Sequence, residues 1–298
     1  MRLLNLEGRP ALAVAGGGAI DVATASGDRF GPGFASVYER WDDFRAWAST
    51  VERGAHPVVA VDDDDLLGPP VPRPSQVFAI GLNYLAHVAE GGSALPEQPM
   101  VFTKFPASVT GPHDDIEVPT GSVDYEVELV VVVGRWTHKI TPDRAWAHVA
   151  GLTAGQDLSE RELQIHGPAP QQHNLAKSHT GFSPIGPALV TPDEFADPDD
   201  IGLRTVLNGV EVQSGRTSDM VFGVAELISY LSGFLPLLPG DLVFTGTPAG
   251  IGWTRDPKLL LGPGDELVTE VEGIGEMRNR FVAGSPAPVW KEADRAVV

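Results

Sequence analysis

Between Val123 and Gly134 the chain reads Val-Asp-Tyr-Glu-Val-Glu-Leu-Val-Val-Val-Val-Gly. β-Branched residues fill nearly every position after Leu129, which predicts a strand buried on both faces. Two carboxylates interrupt the apolar run, Glu126 and Glu128. Alternation along a strand puts them on one face, about 7 Å apart. The first 70 residues carry shorter patterns. Pro10–Ala15 and Ile20–Thr24 flank three glycines and predict a hairpin. Phe44, Trp47 and Val51 recur at helical spacing within Asp42–Arg53. Asp62–Asp65 lead into Leu67-Gly68-Pro69-Pro70, with Pro72 and Pro74 beyond, a charged and proline-rich linker. The four aspartates read as a solvated charge run rather than a metal cluster. The division predicted is a small N-terminal α+β domain, 1–70, and a catalytic domain, 71–298.

Beyond the linker, Val77–Ile80, Met100–Lys104 and Leu242–Thr245 read as strands and Asn83–Glu90 as a short helix. Thr141-Pro142 opens a helix to about Val149, with a threonine cap and proline at the first position. Asn208-Gly209 is a two-residue hairpin turn between Leu203–Leu207 and Val210–Gln213. Met220, Val224, Leu227, Ile228 and Leu231 mark an amphipathic helix ending near Pro236. Glu266–Val271 and Glu276–Val282 form a last hairpin. The sum is a β-rich α+β fold, a mixed sandwich or roll.

Composition narrows the field. The chain has 298 residues, and its apolar fraction of 42% permits a sizeable core. No apolar run approaches the roughly 18 residues of a membrane span, and Asn5, Glu7, Arg9 and Pro10 break any signal-peptide core. With no cysteine, disulfides, thiolate metal sites and a cysteine nucleophile are excluded, which fits a cytoplasmic protein. A net charge of −19 argues against a nucleic-acid partner. An anionic substrate must be drawn in by local cations.

The chemistry starts from the strand. Two buried like charges on one face are costly unless a cation compensates them. Asp157, at the end of the short strand Gly151–Asp157, can reach a neighbouring strand's face and supply a third oxygen ligand; its bland reading is a helix N-cap. The glutamates' bland reading is a barrel mouth with exposed acids. Oxygen ligands without thiolate select Mg²⁺, Mn²⁺ or Ca²⁺ over Zn²⁺. His87 and Glu90 are neighbours at i and i+3, a base and its orienter suited to activating water, or an ordinary helix-surface contact. Lys177 and Lys104, both with apolar neighbours in sequence, either balance the surplus negative charge or lie on the surface. In Phe244–Gly252, three glycines after a strand let backbone N–H groups approach an anion, with the Thr247 hydroxyl as a further donor. The spacing is neither a P-loop nor a dinucleotide fingerprint, and a structural turn is the alternative.

Four segments in order carry a resemblance: Gly81–Glu90 (G-x-N-Y-x-x-H-x-x-E), Asp124–Leu129 (D-Y-E-x-E-L), Gly151–Asp157 with Lys177-Ser178 downstream, and Gly246–Gly252 (G-T-P-x-G-x-G). From about Pro72 to Val282 the chain resembles the fumarylacetoacetate hydrolase family. The resemblance implies a mixed β-sandwich roll and a homodimer. It implies Glu126, Glu128 and Asp157 as Mg²⁺ or Mn²⁺ ligands, and His87 with Glu90 as the dyad that activates water on a lid segment. Lys177 becomes a catalytic or substrate-contacting cation, and Tyr84, Lys104, Gly246 and Thr247 substrate contacts. The implied activity is hydrolysis of a C–C bond in a 1,3-diketo acid of the acylpyruvate or fumarylpyruvate kind, through a metal-stabilised enolate, in aromatic-compound catabolism. An oxaloacetate-type decarboxylase or a 2-hydroxy-dienoate isomerase or hydratase would use the same site. A metal-stabilised binding module with a dead site is disfavoured by the complete residue set. The chain departs from the family pattern at Leu85-Ala86, around His173 and at His179-Thr180-Gly181, positions that bear on the substrate.

Overall fold

In the computed structural model, which describes residues 1–61, 66–92, 94–165 and 172–285, the strand Val127–Val133 lies inside an 11-stranded sheet. The aspartate run 62–65 lies outside the described residues. All seven strand residues are buried. Val127, Leu129, Val131 and Val133 enter one apolar cluster, Val130 and Val132 another, as strict alternation between two covered faces requires. The strand pairs antiparallel with Val149–Gln156 on one side and Leu242–Phe244 on the other. Past Leu242–Phe244 come Val77–Gly81, in parallel, and the edge strand Met100–Thr103. Past Val149–Gln156 come Ser183–Val190, Arg2–Leu6, Arg9–Ala13 and Ala19–Asp21.

Each face has its cover. The helix Val224–Phe234 buries Val224, Leu227, Ile228 and Leu231 in the first cluster, beside Leu203, Val271 and Met277 of a five-stranded sheet. The helix Trp41–Thr50 brings Trp41, Phe44 and Ala48 to the second. Each large apolar side chain so buried contributes about 1.5–3 kcal/mol. The result is a strand-rich mixed α/β architecture of several sheets. Among the described residues no helix is long and apolar enough to cross a membrane.

Local chemistry explains where the structure departs from the hydrophobic pattern. The hairpin around the three glycines forms, but its second strand stops at Asp21, not Thr24. The Asp21 carboxylate accepts the Thr24 N–H and starts the helix Val22–Ser26, which Gly27 closes in the left-handed conformation. Ser183–Val190 carries no strand signature, because Pro184, Gly186 and Pro187 read as a breaker run. It nevertheless forms eight residues of the large sheet, with its register to Val149–Gln156 shifted between Leu152 and Ala154. The first 70 residues do not stand apart in the sheet. Arg2–Leu6 pairs with Ser183–Val190, and Leu3 and Leu12 share a cluster with Val130 and Val132.

Candidate active site

The pairing register sets the acids. Val127 faces Gln156 across the ladder, so Glu126 at one strand's start meets Asp157 at the other's end, and the Asp157 N–H donates to the Glu126 carbonyl at 2.9 Å. Glu128 lies two residues on, on the same side as Glu126. One oxygen from each of Glu126, Glu128 and Asp157 falls within 4.8 Å of the others, and all three residues are buried.

Three buried cations surround them. Lys177 Nζ donates to Glu126 Oε2 at 2.7 Å and Asp157 Oδ2 at 2.6 Å. Lys104 Nζ donates to Asp157 Oδ1 at 2.5 Å and to the Lys177 carbonyl. Arg161 Nη2 donates to Glu126 Oε1 at 2.6 Å and its Nε to Asp124 Oδ2 at 2.9 Å. With Asp124 counted, four buried carboxylates face three buried cations. Burial works against ionised Glu126, yet Lys177 and Arg161 outweigh it and hold the carboxyl well below its usual range. Glu128 has no such partner. Burial, and then the charges of Asp157 and Glu126, push its carboxyl well above the usual range. Clustered hard oxygens with surplus negative charge fit a hard divalent cation.

The second group is the dyad. On the helix Leu85–Glu90, His87 Nδ1 lies 3.2 Å from Glu90 Oε2. Glu90 also accepts the Gly250 N–H on both oxygens, at 3.1 and 3.2 Å, and the Thr254 hydroxyl at 2.8 Å. Burial pushes the Glu90 carboxyl up, and His87, Thr254 and the Gly250 amide together hold it below its usual value. Asn83, fully buried, anchors the chain ahead of this helix. Its amide donates to the Phe222 and Thr245 carbonyls at 3.0 and 2.7 Å and accepts the Phe222 N–H at 2.9 Å.

A cavity of about 270 Å³ joins the two groups. Its wall includes His87, the three acids, Lys177 and Thr247, with Ile80, Leu82, Met100 and Phe102 as the apolar part. The other residues singled out in the sequence lie behind it. Lys104 is 1% exposed and tied to Asp157. Tyr84 is 1% exposed, and its hydroxyl has no hydrogen-bond partner among the described residues. The Gly246 N–H donates to Glu128 Oε2 at 2.7 Å. The glycine-rich loop thus binds anions, but those in view are the protein's own carboxylates: Gly252 and Trp253 amides both donate to Asp124, at 2.8 and 3.1 Å. Arg161 and Gln164 escaped the sequence reading, and Asp124 entered it only as part of a motif, without a role. Arg161 and Gln164 both line the cavity and bond to each other at 2.9 Å. Spacing relates only Arg161 to Gln164, neighbours at i and i+3 on the helix Arg161–Ile165; the strand Ser159–Glu160 separates them from Asp157, so no local period ties them to the acids.

The comparisons with known proteins converge on this region. The model of the fumarylacetoacetate (FAA) hydrolase C-terminal family matches residues 76–282. The human protein named oxaloacetate tautomerase FAHD2A, mitochondrial, is 42% identical over 215 residues, 72% of this chain and 68% of that protein. The 2,4-didehydro-3-deoxy-L-rhamnonate hydrolase of Sphingomonas sp. (strain SKA58) is 40% identical over 223 residues, 74% of this chain and 78% of that one. A crystal structure from Mycobacterium smegmatis, described as a candidate HpcE protein, is 54% identical over 96% of this chain and 100% of its own, with a TM-score of 0.89. The matched span contains the three acids, the dyad and the glycine-rich loop, and the chain is an enzyme of the fumarylacetoacetate hydrolase family.

Proposed function

We propose that this enzyme is a divalent-metal-dependent hydrolase that cleaves a C–C bond in a 1,3-diketo acid of the acylpyruvate or fumarylpyruvate kind. One observation carries the reading: the Glu126–Glu128–Asp157 oxygens and the Glu90-oriented imidazole of His87 open onto the same cavity. The three acids would hold Mg²⁺ or Mn²⁺. When bound, such an ion supplies Lewis-acid stabilisation for an enolate. With Nδ1 of His87 donating to Glu90, Nε2 is the base that takes a proton from water. The water oxygen adds to the carbonyl distal to the carboxylate, and the bond from that carbon to the central carbon breaks. A carboxylic acid and a pyruvate enolate leave, and the enolate is protonated at carbon. Lys177, tied to Glu126 and Asp157, helps to hold Glu126 ionised against its burial and offers a cation to the oxyanion. The Thr247 hydroxyl, held by Gln213 Nε2 at 2.9 Å, would contact substrate.

A second reading, oxaloacetate tautomerisation, draws on the 42% identity to the human relative of that name. It needs His87 to move a proton at the carbon between the carbonyls and no attacking water. Decarboxylation or dienoate isomerisation would likewise use the enolate without hydrolysis. The deciding assay gives purified enzyme Mn²⁺ or Mg²⁺ with acetylpyruvate, fumarylpyruvate or oxaloacetate and follows products by NMR. Hydrolysis releases pyruvate from an acylpyruvate, depends on the ion, and falls about 10²- to 10⁴-fold in His87→Ala. No pyruvate from any acylpyruvate rejects it. Accelerated enol–keto exchange of intact oxaloacetate would assign the tautomerase instead. The cysteine-free composition supports a cytoplasmic place of action. The homodimer implied by the family is checked by light scattering on the purified protein.

A further inference from the structure

The helix that carries His87 and Glu90 is weakly attached on its own account. It is six residues long, Val88 is its buried residue, and Leu85 at its start is 57% exposed. What fixes its far end is polar: Glu90 takes the Gly250 amide and the Thr254 hydroxyl. The loop making those contacts is fixed in turn. A Cβ at Gly250 would stand 2.4 Å from the Val212 carbonyl oxygen, and one at Gly252 1.8 Å from that of Leu259. The same loop grips the strand of the acids, through Gly246 on Glu128 and through Gly252 and Trp253 on Asp124. Asp124 reaches Glu126 through Arg161.

We propose that the loop from Gly246 to Thr254 is a clip that holds the His87–Glu90 dyad in register with the three acids, and that Thr254 is its positioning residue for the dyad. Thr254 is exposed and lies just past the glycine motif, so its hydroxyl can be removed with little effect on the core. The catalytic part of the inference rests on the hydrolase or tautomerase reading above; the structural part does not.

The test compares Thr254→Val and Thr254→Ser with the unaltered enzyme. Three quantities are read: kcat and KM on whichever probe of the assay above is turned over, amide hydrogen exchange across Leu85–Glu90 by mass spectrometry, and Mn²⁺ affinity by calorimetry. A charge-assisted hydrogen bond lost from Glu90 should lower kcat about tenfold and speed exchange of the helix about tenfold, with KM and the Mn²⁺ Kd within about twofold. Serine restores the donor and should restore both kcat and exchange. The proposal is overturned if Thr254→Val exchanges and turns over like the unaltered enzyme, or if serine restores neither. It is also overturned if Mn²⁺ affinity falls in step with kcat, since the loop would then serve the acids and not the dyad. Should the unaltered enzyme turn over none of the probes, the functional reading has failed, and the exchange data still decide the clip.

Discussion

Glu128 is the carboxylate that the folded chain accommodates least well. It accepts one amide, from Gly246, and lies beside two other carboxylates, whereas Glu126 and Asp157 each have a lysine. Burial with no cation in direct contact is what a binding site costs a fold. Glu128→Gln should therefore stabilise the metal-free protein by about 1–2 kcal/mol in urea titrations while weakening Mn²⁺ binding at least about tenfold. A gain in stability with unchanged Mn²⁺ affinity would remove Glu128 from the ligand set. Arg161 behaves oppositely. Replacing it with methionine strips Asp124 and Glu126 of their shared partner and should cost about 3–5 kcal/mol, seen as a lower urea midpoint. Sequence could find Glu126 and Glu128, because alternation in an apolar strand is a local rule. It could not find Arg161, because an arginine between Glu160 and Glu162 reads as surface until the register buries it.

Elements show the same division. The hairpin of Arg9–Ala13 and Ala19–Asp21, the Asn208-Gly209 turn and the helix Val224–Phe234 follow from residues close in sequence. The short helix Val22–Ser26 depends on its cap: Asp21 accepts the Thr24 amide at 2.8 Å and pairs with Arg9. Arg9, then the Thr24 donors, hold the Asp21 carboxyl at about 2, against an ordinary 3.8. A depressed carboxylate contributes stability above its unfolded value and loses it as pH falls through its folded one. Asp21→Ala should thus cost about 1 kcal/mol at neutral pH, mostly from the cap because the exposed ion pair adds little. The deficit should shrink between about pH 4 and pH 2. Thermal melts across that range would show it, and a deficit constant down to pH 2 would mean that Asp21 acts through packing. Ser183–Val190 makes the contrary case, since proline-rich sequence becomes strand there through its partners on both sides.

For the whole molecule, the question is whether the N-terminal strands can be spared. Arg2–Leu6 covers the flank of Ser183–Val190, and Leu3, Leu12, Phe30 and Phe44 fill the cluster behind Val130 and Val132. We therefore expect a chain of residues 71–298 to lose cooperative unfolding, because it exposes both a strand flank and that cluster. Leu3→Ala in the full chain should cost about 2–5 kcal/mol within a single transition. A cooperative melt and native near-UV circular dichroism for the shorter chain would instead make the N-terminal region a separate domain.

The sequence by itself determined the buried strand, the two acids on one of its faces, the histidine–glutamate spacing and the family, since each is written in residues a few positions apart. Tertiary structure decided which cations answer those acids and which anions the glycine loop binds. It also brought the Gly250 amide and the Thr254 hydroxyl onto Glu90 of the dyad helix. Those partners stand between 20 and 164 residues apart in the chain. Nothing in local periodicity specifies such pairs; strand register and the packing of one loop against two carboxylates do.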